Sequence, residues 1–491
     1  MKNDRPNFLV IMSDEHDPRY MGVSGDPHIH TPNLDRLAGS GTRFRDAYTN
    51  SPICVPARAS FATGAYAHDI GYWDNALAYD GAVKGWGHAL QEGGVRVESI
   101  GKLHYRSVED DTGFDQEHLP MHIYNSEGMV WGSVRDPLPS QQPREGRMLG
   151  DKIGAGESTY TRYDVSVTDM TIDWLDNVSD DGEPWCLFVG LVAPHFPLVV
   201  AEEYLSLYPR DALPPRKLHP RDGYTRHPWI QRHHDFWPTE EQFRDEEERL
   251  TAMSAYLGLV TWMDHNVGRI LSQLEKCNLT GSTRVLYTSD HGDNVGHRGM
   301  WGKSNFYLES AAVPMILSGP GVSTGVNDTP VSLLDVHPTI LENFGLFPNS
   351  APLEQEIPRP GRSLLDIARK DDDRERAVFS EYHAAGSPSA GFMLRKGQWK
   401  YHHYIGYAPE LFDLDNDREE LYDLASSSDF ADVLIMMERE LRKICDPDAV
   451  NQAAKSDQAK LIERHGGREK ALFVGAPAAT PVPGANAKFG D

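Results

Sequence analysis

Three nearly unbroken apolar runs limit what this chain can fold into. They are Phe8-Leu9-Val10-Ile11-Met12, Trp185-Cys186-Leu187-Phe188-Val189-Gly190-Leu191-Val192 and Arg284-Val285-Leu286-Tyr287-Thr288. None shows the apolar/polar alternation of a half-exposed strand, so each reads as a strand buried on both faces of a parallel sheet. Each ends abruptly in residues capable of chemistry: Ser13-Asp14-Glu15-His16-Asp17, Ala193-Pro194-His195-Phe196-Pro197 and Ser289-Asp290-His291-Gly292-Asp293. In open α/β sheets ligands bind at the carboxyl ends of strands, which is where these clusters fall. Val95 to Ile100 reads as another strand, leading into Gly101-Lys102-Leu103-His104-Tyr105. Alternation along an extended segment puts Lys102 and His104 on one side.

Helical signals lie between the strands. Thr31 to Ala38 reads as a capped helix, and Asp164 to Val178 as an amphipathic one. Thr239-Glu240-Glu241-Gln242 has a capping-box pattern and is expected to open a long helix whose apolar stripe runs from Leu250 to Leu274. In Ser51-Pro52-Ile53-Cys54-Val55-Pro56-Ala57-Arg58 the proline suits a first helical turn, and the helix should stop near Gly64. Cys54 then sits at a helix N-terminus, where free amides favour an anion, and Arg58 one turn on adds a fixed cation. His233-His234 lies in an aperiodic stretch and reads as part of a rim loop, not a metal site. Residues 106 to 163 read as an excursion over the rim.

The chain has 491 residues, a formal charge of −25 and a pI near 5.2. That excludes nucleic acid as a natural partner and gives no attraction to anionic membranes. If the substrate is an anion, cations must be gathered locally against this acidic background. Four cysteines (Cys54, Cys186, Cys277, Cys445) have neither metal spacing nor a disulfide framework. The N-terminal residues offer no signal-peptide core and no run approaches a membrane span, so a cytoplasmic location is expected.

Cys54-x-Pro56-x-Arg58 in this context resembles the signature of the type I sulfatases of the alkaline phosphatase superfamily. The resemblance covers residues 7 to about 425, and lies near the choline sulfatase and phosphonate monoester hydrolase branch. It implies an alkaline-phosphatase-like α/β fold with a central, mostly parallel sheet and a smaller C-terminal antiparallel sheet. It also implies that Cys54 is oxidised to formylglycine by a formylglycine-generating enzyme, its hydrate being the nucleophile. Asp14, Asp290 and His291, with residue 54 itself, match the ligands of one divalent cation, Ca²⁺ or Mn²⁺. Glu15 stands where many members have a second aspartate, leaving its role as a ligand open. Gly101-Lys102-x-His104 matches a sulfate-binding lysine and a histidine beside the nucleophile. Pro194-His195-x-Pro197 matches a substrate-binding or proton-donating histidine, and Lys303 a lysine on the leaving-group side. Asn75, in Tyr72-Trp73-Asp74-Asn75, matches a substrate contact. The activity implied is hydrolysis of aryl or alkyl sulfate monoesters. The alternatives are a phosphonate monoester or phosphodiester hydrolase on the same scaffold, or a silent binding protein whose Cys54 is never converted.

The expected organisation is a catalytic domain over residues 1–370, a small α+β domain over 371–445 and a tail over 446–491. The charged run Arg369 to Asp373 marks the first boundary, and short strands follow at Ala377–Tyr382, Gly391–Arg395, Gln398–Tyr404 and Glu410–Leu414, with a helix near Asp429 to Ile444. Leu461-Ile462 and Ala471-Leu472-Phe473-Val474 would leave apolar patches on the tail, so they are expected to meet a neighbouring subunit in a dimer or tetramer.

Overall fold

The computed structural model describes residues 5–142, 147, 149, 152–178, 183–346 and 357–485. Within the expected rim excursion, residues 143–146, 148, 150 and 151 lie outside the described residues, as do residues 486–491 of the tail.

Eight strands form the central sheet: β1 (Asn7–Asp14), β2 (Gly41–Phe44), β3 (Arg96–Lys102), β4 (Gln116–Met121), β5 (Trp185–Pro194), β6 (Thr283–Ser289), β7 (Met315–Ser318) and β8 (Gly325–Asn327). Their spatial order is β8-β2-β7-β6-β1-β5-β3-β4, with β7 antiparallel to both neighbours and the other pairs parallel. The three apolar runs are the three adjacent central strands. Phe8, Val10 and Met12 face one core with Phe188, Leu286 and Phe61 of helix α1 (Cys54–Thr63). Leu9 and Ile11 face a second core with Val167 of α2 (Thr159–Asn177) and Met263 and Val267 of α3 (Glu246–Lys276). Both faces are covered, which is why the runs carry no polar alternation. Each fully buried side chain of this kind contributes about 1.5–3 kcal/mol. Together they fix the strand ends rigidly.

Several sequence expectations are corrected. Gln116–Met121, inside the expected excursion, is a parallel edge strand, and its Pro120 is tolerated because only one flank is paired. The stretch holding His233 and His234 is a helix, Pro228–Phe236. Thr239 precedes only a 3-10 turn, Glu240–Gln242, and its side chain makes no cap bond there; the long helix begins at Glu246, capped by Asp245, whose side chain accepts from the Glu248 N–H. Thr239 Oγ1 instead accepts from the Trp301 N–H at 3.1 Å. Strand β3 ends at Lys102, and His104 has φ +59°, so strand alternation does not place Lys102 and His104 together.

A four-stranded antiparallel meander follows in sequence order: β9 (Val378–Tyr382), β10 (Gly391–Lys396), β11 (Trp399–Tyr404) and β12 (Glu410–Asp413). Helix α4 (Ala431–Leu441) packs on it through Met437 and Leu441. The tail opens with helix α5 (Pro447–Arg464). Its Leu461 and Ala471 are buried against Ala76, Val130 and Val134 of the same chain, with Ile462, Leu472 and Val474 partly buried beside them. These apolar pieces therefore do not need a neighbouring subunit to cover them; of the stretch named above, Phe473 remains exposed.

Candidate active site

The carboxyl ends of β1 and β6 and the N-terminus of α1 meet at one point. Asp14 is the last residue of β1, Asp290 and His291 follow β6 directly, and Cys54 is the first residue of α1. Ile53 before it is extended and Gly64 ends the helix in the left-handed conformation, as the sequence predicts. One ligand atom each from Asp14, Cys54, Asp290 and His291 lie within 4.8 Å of one another, and all four residues are buried. Cys54 Sγ is 3.2 Å from His291 Nε2 and 3.7 Å from Asp14 Oδ1. His291 Nδ1 lies 3.0 Å from the Gly292 carbonyl, which fixes the ring so that Nε2 faces both carboxylates at 3.6 Å. Two carboxylates and an imidazole so oriented fit a divalent cation.

Cations surround the cluster. Arg58 donates from Nε to Asp290 Oδ2 at 2.8 Å and from an amino nitrogen to the Lys102 carbonyl at 2.9 Å, and reaches Asp14 Oδ2 at 3.4 Å. Lys102 Nζ contacts Asp14 Oδ2. Burial alone would raise the Asp14 carboxyl, but Lys102, His195, Lys303 and Arg58 outweigh it and hold it well below the usual range. Burial works against the Lys303 ammonium too, yet Cys54, Glu15, Asp14 and Asp290 keep it firmly charged. His104 and His195 are held well below the usual histidine range by burial, reinforced by Lys102 and Arg58 for His104 and by Lys303 for His195. Both are neutral imidazoles at neutral pH.

The helix N-terminus does not make Cys54 a ready thiolate. Burial, with Asp14 beside it, pushes the thiol up to about 11. A reactive thiolate needs the opposite surroundings.

Glu15 is fully buried at φ +73°. Its oxygens lie 3.2 Å from Lys303 Nζ and 3.5 Å from His195 Nε2, and burial pushes its carboxyl well up. It groups with Asp14 and His195 rather than with Asp290 and His291. Among the described residues neither Glu15 oxygen, nor Lys303 Nζ, nor His104 Nδ1 makes a hydrogen bond. Unsatisfied buried polar atoms gathered in one place mark a ligand site.

Asn75 Oδ1 accepts the Val55 N–H at 3.2 Å at the start of α1, and the residue lines the cavity beside Lys303. Phe196, Trp237, Trp301 and Ala478 line it as well.

Every residue that the resemblance matched to a site role is thus brought to this region. Several supports were missed. Asp164 accepts the Val192 and Ala193 N–H groups at 2.8 Å, fixing the strand end that carries His195. Asp293 Oδ1 accepts from Val295 and Gly302, fixing the loop that carries Lys303. Thr480 Oγ1 lies 2.7 Å from His104 Nε2. Asp293 stood in a motif already noted; nothing local distinguishes Asp164 or Thr480.

Comparison with known proteins gives a family match and a fold match. A family model described as Sulfatase matches residues 6–346, and one described as N-sulphoglucosamine sulphohydrolase, C-terminal, matches residues 296–446. The chain is 32% identical over 448 residues to a choline-sulfatase of Rhizobium meliloti (strain 1021), covering 87% of this chain and 84% of that protein. It is 29% identical over 476 residues to arylsulfatase K of Danio rerio, covering 92% and 86% respectively. The fold superposes on a phosphonate monoester hydrolase of Agrobacterium radiobacter with TM-score 0.71 at 21% identity, covering 90% of this chain and 95% of that one. A 2-O GAG sulfatase gives TM-score 0.71 at 22% identity, covering 91% and 92%.

Proposed function

We propose, for a chain that belongs to the sulfatase family and is a sulfuric ester hydrolase, that it cleaves aryl or alkyl sulfate monoesters with residue 54, matured to formylglycine, as nucleophile. The observation that carries this reading is the buried set Asp14, Cys54, Asp290 and His291 ringed by Arg58, Lys102 and Lys303. A divalent cation held by Asp14, Asp290 and His291 would lower the pKa of a hydroxyl on hydrated formylglycine and so supply the nucleophile.

The remaining chemistry belongs to the chain's own side chains. Arg58 holds Asp14 and Asp290 in place and, with Lys102, offsets charge on the sulfuryl oxygens. Lys303 offsets charge on the departing alcohol oxygen and returns a proton to it, since His195 is a neutral imidazole whose Nδ1 is engaged by the Phe196 carbonyl. Neutral His104 accepts the proton given up at residue 54 when sulfate leaves. Asn75 contributes its NH₂ group, since its carbonyl is already engaged by Val55. A maturation enzyme that oxidises Cys54 is implied by the same reading, as is a cation of the Ca²⁺ or Mn²⁺ type. We further propose a homo-oligomeric, cytoplasmic protein; no described helix is long and apolar enough to cross a membrane.

The test is mass spectrometry of the peptide containing residue 54, together with turnover of an aryl sulfate. Replacement of sulfur by oxygen with loss of two hydrogens is expected. An active preparation in which position 54 remains an unmodified cysteine overturns the nucleophile assignment.

A further inference from the structure

The C-terminal tail does not end beside α5. It turns back across the candidate site. Gly475 makes the turn at φ +101°, where a Cβ would lie 2.0 Å from the Gly128 carbonyl oxygen, so only glycine fits. The segment is then pinned on both sides. Trp131 donates its backbone N–H to the Val474 carbonyl at 3.1 Å and its indole N–H to the Ala476 carbonyl at 2.8 Å. Ala476 donates its N–H to the Gly128 carbonyl at 3.0 Å. Further on, Tyr160 donates its hydroxyl to the Thr480 carbonyl at 2.5 Å. Ala478 walls the cavity beside Lys303, whose volume is about 30 Å³. Ala479 and Val482 pack on the core beneath the sheet. Thr480 itself is buried, 7% exposed.

Its hydroxyl oxygen lies 2.7 Å from His104 Nε2, while His104 Nδ1 is buried without a partner. Two arrangements satisfy the short contact. If Thr480 donates to Nε2, the ring proton sits on Nδ1 and is left buried and unbonded. If Nε2–H donates to Thr480, a bare lone pair sits on Nδ1. The charges of Lys102 and Arg58 act on this ring more strongly than the opposite charge of Asp14. Nearby positive charge favours a bare lone pair over a bare N–H.

We propose that residues 475–482 form an active-site strap whose Thr480 is a positioning residue for His104. It accepts from Nε2–H and leaves Nδ1 as the proton-accepting atom. The proposal rests on the reading of His104 as the base for the second half of the reaction. That reading alone gives the ring no fixed tautomer.

Long-range ¹H–¹⁵N NMR of histidine-labelled protein, with His104 assigned through His104→Gln, reads the tautomer directly and independently of turnover. The expected result is a ring protonated at Nε2 in the unaltered protein and a mixed or reversed tautomer in Thr480→Val. Steady-state kinetics should show kcat reduced on the order of tenfold in Thr480→Val with KM little changed, and kcat restored in Thr480→Ser. A ring protonated at Nδ1 in the unaltered protein overturns the proposal, even if Thr480→Val fails to fold. So does a Thr480→Val enzyme with full kcat. Full activity in His104→Gln instead refutes the role of His104 as base, and the tautomer measurement still decides the role of Thr480.

Discussion

Lys303→Met gives the sharpest test of how charge is used in this site. Lys303 Nζ lies 3.2 Å from Glu15 Oε1, yet neither atom makes a hydrogen bond, so the ammonium's donors are free for a ligand. Burial raises the Glu15 carboxyl, but once it is ionised two unit charges at that distance attract by about 5 kcal/mol at an effective dielectric constant of ~20. Glu15 is fully buried and the Lys303 side chain only 12% exposed, so solvent screens the pair little. Methionine keeps the volume and the contact with the Phe196 ring, over which the ammonium sits at 5.5 Å. Only the charge is lost. Removing one donor aimed at a developing oxyanion costs about 2.7–4 kcal/mol, or roughly 10²–10³ in rate. If Lys303 acts on the departing oxygen, that loss must grow as the alcohol becomes a poorer leaving group. The assay is kcat/KM across a series of substituted phenyl sulfates, in both proteins. A steeper dependence on leaving-group basicity is expected in the variant. A uniform loss across the series refutes the leaving-group role and moves Lys303 to the sulfuryl oxygens. Glu15 supplies an internal control, because it is the residue stranded when Lys303 goes. The double variant with Glu15→Gln should lose less than the two single losses combined, by a coupling on the order of 0.5–3 kcal/mol.

Cys54→Ala should abolish turnover while leaving the circular dichroism spectrum unchanged, since Cys54 lies among ligand atoms; more than a few per cent residual activity rejects residue 54 as nucleophile. Asp290→Asn removes an anionic partner of Arg58 and, on the proposed reading, a cation ligand, so both turnover and bound metal by elemental analysis should fall; a full equivalent of retained metal counts against the ligand set. Sulfate monoesters should lead over phosphate monoesters in kcat/KM, and at pH values high enough to ionise the raised Glu15 carboxyl, Glu15→Gln should raise the phosphate-to-sulfate ratio by about tenfold if one charge is worth ~1.4 kcal/mol. A ratio indifferent to position 15 refutes the charge argument.

The central strands and the four strands of the small sheet were legible to within a few residues because their signal is local. Burial on both faces demands a continuous apolar run, and Phe8 to Met12 is one. Gln116–Met121 escaped because an edge strand needs no such run and tolerates polar residues and Pro120. Thr239 failed as a cap for a similar reason. The side chain fits the pattern, but tertiary structure offers it the Trp301 N–H instead.

The site divides along the same line. Asp14, Asp290, His291 and Lys102 sit at strand ends, where a residue's place in the chain nearly fixes its place in space. The state of Cys54 could not be read that way. A helix N-terminus and Arg58 one turn on argue locally for a stabilised thiolate, but Arg58 is spent on Asp290 and Asp14. Burial beside Asp14 then decides the outcome and drives the thiol up. Cations gathered into an acidic chain are thus largely matched by carboxylates at the cluster: Arg58 and Lys102 act on a substrate anion through their charge, whereas Lys303 also keeps its N–H donors unbonded. The same logic separates Lys303 from Arg58. Each guanidinium nitrogen of Arg58 already has a protein partner, and so Arg58 organises the site. Lys303 sits close to an opposite charge without bonding to it, and so can change partner during the reaction.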